Sequence, residues 1–144
     1  MVPWPRTVIN FPIILIAIVQ QFLTAVALVW DPQAHYATSI HILYEVLPNS
    51  KVLAGFLFMS AFMAGASFSM RRKVETIMLM VPQQLMLYLC AGAALHAIAI
   101  GEFADGTQRS SAFLLADQVP IILLAVFHTW AMVLILIHGE EIKQ

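Results

Sequence analysis

The sequence predicts an all-α polytopic membrane protein: four transmembrane helices, with a short interfacial helix between the first and the second. Three observations carry this reading. Hydrophobic residues make up 61% of the chain and charged ones 10%, far from the balance of a water-soluble domain. The apolar residues gather in four runs, each close to the roughly 20 residues that cross a hydrocarbon layer of about 30 Å at 1.5 Å per residue. The polar stretches between them are short, so residues 1–144 form a single domain with almost nothing outside the lipid to fold separately.

The first span runs from about Thr7 to Trp30, entered through Pro3-Trp4-Pro5 and left at Asp31-Pro32. Pro12 lies within its first turns, where a missing N–H is tolerated. Trp4 and Trp30 fall at opposite ends, where interfacial aromatics belong. Arg6, the apolar core and Ala25-x-Ala27 also fit a secretory signal peptide, but Gln20 and Gln21 interrupt the core. From Asp31 to Lys51 the chain is too polar to cross. Tyr36, Ile40, Leu43, Tyr44 and Leu47 recur there at three- and four-residue spacing, with His41 and Glu45 on another face. This is the pattern of an interfacial helix, ended by Pro48-Asn49-Ser50.

The second span, about 52–70, carries small residues at helical spacing: Ala61 with Gly65, Ser60 with Ala64, and Ser67 beyond. Such rows let helix backbones approach closely in lipid. Arg71-Arg72-Lys73 follows at once and leaves room only for a tight turn. In the third span, about 76–100, Pro82 stands two turns inside with Gln83-Gln84 directly after it, which predicts a kink near Val81. Cys90, Gly92 and His96 follow in an alanine-rich stretch suited to close contact. The loop Gly101–Arg109 turns at Asp105-Gly106, and Ser110–Ala116 leads in along the interface. The fourth span, about 117–138, opens with Asp117 as its cap and Pro120 in the first turn.

Aligning the spans by their ends places Gln20, Gln21, Ser60, Tyr88 and His128 near the midplane, with Thr24 and Thr129 close to that layer. An ionisable group at this depth is costly, by about 2 to 3.5 kcal/mol on insertion scales when charged, so His128 must face protein or a wet cavity. Two readings of the layer stay open. It lines a partly hydrated path or ligand site in which His128 exchanges a proton near neutral pH; or its members hydrogen-bond across the bundle and fix its register, for about 0.6 to 2 kcal/mol each. At the other end of the third span, His96 and Asp117 reach similar depth in an antiparallel hairpin. They form either a carboxylate–histidine pair or, separately, an interfacial residue and a cap.

Several functions are excluded. Seven scattered basic residues against eight acidic ones, a net charge of −1, give no patch for nucleic acid. His35, His41, Glu45 and His96 are of ligand type, but no His-x-x-x-His or cysteine pattern accompanies them, so no metal is expected. His128 has no histidine partner at its depth to share a haem, and no cofactor is expected. No nucleotide loop, nucleophile elbow or zincin motif occurs, and the chain does not read as an enzyme. The single cysteine, Cys90, excludes an intrachain disulfide.

Length, span count, short tails, the small-residue row from Ala61 to Gly65 and the Gln20-Gln21 pair together resemble the layout of multi-spanning phage holins and similar small phage membrane proteins. The polar tail GEEIKQ lacks the strongly basic end often seen in that group. The resemblance implies self-assembly in the cytoplasmic membrane and permeabilisation, with Gln20, Gln21 and His128 turned to a wet lumen. Two alternatives remain: an accessory or assembly subunit whose midplane groups bond to a partner, and a small proton-coupled carrier using Asp117, His96 and His128. Expected partners are the bilayer and either further copies or another membrane protein. With both termini cytoplasmic in a bacterial inner membrane, Arg6, Arg71, Arg72, Lys73 and Lys143 lie inside and only Lys51 and Arg109 outside, which obeys the positive-inside rule.

Overall fold

A computed structural model of the protein describes residues 7–31, 49–100 and 111–138, with their side chains except those of residues 7–11, 97, 100, 111–115, 117 and 138. Among the described residues there are four helices and no strand: α1 (Thr7–Trp30), α2 (Ser50–Ser67), α3 (Lys73–Ile100) and α4 (Ser111–His138). Each contains a segment long and apolar enough to cross a membrane, namely Pro12–Trp30, Ser50–Ser67, Lys73–His96 and Gln118–Ile137. The interfacial helix expected between Asp31 and Lys51 falls on residues 32–48, outside the described residues.

The helix ends depart from the sequence expectation for local reasons. α2 opens at Ser50 because Asn49 caps it: the backbone there is extended, at φ −132° and ψ 108°. Its Oδ1 accepts the N–H groups of Lys51 at 3.0 Å and Val52 at 3.3 Å, donors that otherwise have no partner in the helix. α2 closes at Ser67 rather than Met70, with the N–H groups of Phe68, Ser69 and Met70 reaching back three residues to Gly65, Ala66 and Ser67. α3 starts at Lys73, three residues earlier than expected. The charged Lys73 and Glu75 form its first turn, and the Arg72 carbonyl receives the Thr76 N–H at 3.1 Å.

The largest correction concerns α4. It begins at Ser111, so Asp117 lies inside the helix and is not its cap, and Pro120 is nine residues past the start rather than in the first turn. The stretch SAFLLA consists of residues that favour or tolerate a helix, and one aspartate after it does not break the run. The helices continue through Pro12, Pro82 and Pro120. Each proline removes one backbone donor, which the many remaining bonds of a helix two dozen residues long outweigh.

The helices pack in a ring, α1 on α2, α2 on α3, α3 on α4, and α4 more lightly back on α1. This is the neighbour pattern of an up-and-down four-helix bundle. Buried positions advance in steps of three and four: 14, 17, 21, 25, 28 on α1; 53, 57, 60, 64, 67 on α2; 76, 80, 83, 87, 90, 94 on α3; 118, 121, 125, 128 on α4. That spacing keeps one seam of each helix turned to its neighbours. The seam is rich in Ala, Ser and Gln, whereas Phe22, Phe62, Leu123, Phe127 and Trp130 face outward. Small and polar side chains inside with bulky apolar ones outside is the arrangement that helices in lipid require.

Ala61 is 3% exposed, and Ser60, Ala64 and Ser67 are buried on the same helix. Gly65 and Gly92 stand off the contact rows within the bundle. A Cβ at either would meet nothing within 4 Å. Each sits one residue past a buried alanine, Ala64 and Ala91, and is therefore rotated about 100° off the contact row.

Candidate functional site

Half-way along the bundle, between a larger apolar cluster that includes Leu28, Leu53, Leu57, Leu87 and Ile121 and a smaller one of Ile14, Met80, Ala131 and Ile135, every helix contributes a buried polar side chain. These are Gln21 on α1, Ser60 on α2, Gln83 and Gln84 on α3, and His128 on α4. All are supplied by the contact seams. The heptad-like spacing that turns Met80 and Leu87 inward also turns Gln83 inward, and the same holds for His128 between Ala125 and Ala131.

His128 is wholly buried, at 0% exposure, and both ring nitrogens are engaged. Nδ1 lies 2.5 Å from Gln84 Oε1 and Nε2 lies 2.7 Å from Gln83 Oε1. Two consecutive residues of one helix thus hold an imidazole of the next from both sides. The Gln83 backbone carbonyl accepts Gln21 Nε2 at 3.3 Å, and Gln21 Oε1 accepts the Ser60 hydroxyl at 2.8 Å. On the opposite flank Gln84 Nε2 donates to Thr129 Oγ1 at 3.1 Å, and the Tyr88 hydroxyl meets the same oxygen at 2.7 Å. One chain of hydrogen bonds therefore joins all four helices, from Ser60 through Gln21, Gln83, His128, Gln84 and Thr129 to Tyr88.

Of the residues assigned to the midplane from sequence, Gln21, Ser60, His128 and Tyr88 belong to this chain, Tyr88 at its half-exposed outer end. Gln20 does not join through its side chain; it is half-buried, and its carbonyl accepts the Thr24 hydroxyl at 2.8 Å. Gln21 and His128 turn into the chain's own bundle. His96 is exposed on α3, and the side chain of Asp117 lies outside the described residues, as do His35, His41 and Glu45.

The partners that hold the imidazole, Gln83 and Gln84, are absent from the sequence-derived layer. The available signal was the Pro-Gln-Gln run inside an apolar span, which reads as a kink. Counting α3 from Thr76 puts its middle at Tyr88, whereas the midpoint of the membrane-long segment Lys73–His96 falls between Gln84 and Leu85. Further polar side chains are buried toward both ends of the bundle: Gln118 on α4 at one, Ser67 and Thr76 at the other. The two hydroxyls return to their own helices, Ser67 to the Ala64 carbonyl at 2.6 Å and Thr76 to the Arg72 carbonyl at 3.1 Å.

Chemically, the centre holds one imidazole, surrounded by amides and hydroxyls that can relay hydrogen bonds in either direction. No protein-family model, curated protein or solved structure matches the chain.

Proposed function

We propose that this is an integral protein of the bacterial cytoplasmic membrane, with both termini on the cytoplasmic side, that carries protons through its own bundle with His128 as the exchanging group. One observation carries the reading: an imidazole with no exposed surface stands at mid-depth, with both ring nitrogens held by neutral side-chain amides. An intramembrane ionisable group turned to the bundle interior is the usual mark of a relay or ion pathway. Buried polar groups on either side, Gln118 toward one end and Ser67 and Thr76 toward the other, extend the polar file along the bundle. The ten residues from Gln118 to His128 rise about 15 Å, so mobile water completes the path.

The test is proton flux in vesicles reconstituted with purified protein, driven by an imposed potential and read by a trapped pH dye. Wild-type protein is expected to acidify the lumen well above protein-free vesicles. His128→Gln, which keeps a polar side chain in contact with Gln83 and Gln84 but cannot titrate, is expected to return the rate to background. Background flux from wild-type protein, or undiminished flux in the variant, overturns the reading.

A second reading, lateral self-assembly with holin-like permeabilisation, draws on a different observation. Gly65 and Gly92 leave open space on the helix surfaces, where another helix can approach closely. Co-trapping a small membrane-impermeant dye separates the two: release of that dye supports permeabilisation, and proton flux without release supports the carrier.

A further inference from the structure

The hydroxyl of Thr129 has one proton and two lone pairs, and all three are in use. It donates to the Ala125 carbonyl at 2.8 Å. It must then accept from its two other neighbours, Gln84 Nε2 at 3.1 Å and the Tyr88 hydroxyl at 2.7 Å. Gln84 is thereby held with its Nε2 on Thr129 and its Oε1 on His128. An amide oxygen only accepts, so the ring nitrogen facing it, Nδ1, carries a hydrogen.

The other side of the ring is not fixed in this way. Nε2 faces Gln83 Oε1, which suits an N–H donor and therefore a doubly protonated ring. In the neutral ring Nε2 bears a lone pair, which would oppose the oxygen's own. Turning the Gln83 amide over presents its Nε2 as donor instead. No hydrogen bond to its Nε2 has to break for that turn: the Gln83 Nε2 has no hydrogen-bond partner among the described residues. Gln84 lacks this freedom, since its reversal requires Thr129 to withdraw its proton from the Ala125 carbonyl.

We infer that Thr129, acting through Gln84, fixes one hydrogen at His128 Nδ1, so that Nε2 is the atom that takes up and releases a proton and the Gln83 amide turns over with each exchange. Only one N–H bond forms or breaks at the ring; water supplies and receives the proton. The groups brought around the ring are Gln21 from α1, Ser60 from α2, and Gln83, Gln84 and Tyr88 from α3, of which only Tyr88 is titratable, and it reaches the ring only through Thr129. Thr129 is a positioning residue. The inference rests on the proposed role of His128 but is tested without measuring flux.

The experiment is nitrogen-15 NMR of the full-length protein labelled at histidine and held in lipid bilayers, with the His128 signals assigned by their loss in His128→Gln. The neutral ring is expected as the Nδ1–H tautomer. Thr129→Ser, which keeps the hydroxyl, should preserve it. Thr129→Val should lower the Nδ1–H to Nε2–H ratio roughly five- to tenfold, the worth of one hydrogen bond. Gln83→Leu should leave the tautomer unchanged, because Gln84 sets it. A neutral wild-type ring protonated at Nε2 overturns the assignment, and that spectrum decides even if Thr129→Val does not fold. A shift in Gln83→Leu with none in Thr129→Val also overturns it. Loss of proton transport with the Nδ1–H tautomer intact removes the proposed function alone.

Discussion

At the level of single residues, the hydrogen-bond chain is unevenly sensitive, because its members differ in what they leave behind when removed. Ser60 also reaches the Leu57 carbonyl at 3.0 Å, so it keeps a partner if Gln21 is lost. The Gln83 carbonyl sits inside a helix and likewise does not depend on Gln21. Gln21→Leu is therefore expected to cost less than about 1 kcal/mol. Ser60→Ala strands Gln21 Oε1 in a side chain only 2% exposed, at about 1 to 2 kcal/mol. Ser60→Ala with Gln21→Leu should recover most of that loss. Reversible unfolding in mild detergent or bicelles reads all three, and Gln21→Leu as the costlier single change would contradict the accounting. Sequence could reach Gln21, Ser60 and His128, because counting from span ends locates depth to within about a turn. It could not reach Gln83 and Gln84 as ring partners: the membrane-long segment starts three residues earlier than expected and ends four earlier, which together move its middle by about 5 Å of rise and put Tyr88 in their place.

At the level of elements, the existence of four helices follows from hydropathy and length, but their ends follow from chemistry that hydropathy does not register. Asn49 reads in sequence as part of the Pro48-Asn49-Ser50 run that ends an interfacial helix, and in the structure it caps α2 through two backbone N–H groups. Asp117 reads as a cap and stands instead in the seventh position of α4. Both residue types suit caps, so only the backbone distinguishes them. Asn49→Ala should lower stability by about 1 kcal/mol, whereas Asp117→Ala removes no cap and should not produce that loss. Matched thermal unfolding of the two variants checks this; equal losses would mean that α4 begins later than Ser111. The contact faces were also only partly legible. Helices in lipid are apolar all round, so periodicity does not reveal which side is inside, and the clue is the fine contrast between alanine or serine and bulkier neighbours. Ala61 and Ser60 follow that clue. Gly65 and Gly92, the smallest residues of all, stand off the contact rows within the bundle.

At the level of the whole molecule, the bundle places its polar side chains along the inside and leaves its large apolar ones outside, so the surface between the two ends suits lipid. That arrangement is symmetrical with respect to the two sides of a membrane; the basic residues are not. Arg71, Arg72 and Lys73 join α2 to α3 at one end, and moving three adjacent cations across the membrane during insertion is opposed more strongly than moving the two separate ones, Lys51 and Arg109. The turn holding them should face the cytoplasm and the opposite end the periplasm. The chain permits a direct check, because its single cysteine, Cys90, is 5% exposed within α3 and should not react with a membrane-impermeant thiol reagent. Ser69, in the turn before the basic residues, and Asp31, just past α1, are both exposed at opposite ends. Asp31→Cys should label in cells with an intact inner membrane. Ser69→Cys should label only after that membrane is opened, and the reverse pattern would turn the protein over, exchanging the sides on which the proposed path takes up and releases its proton.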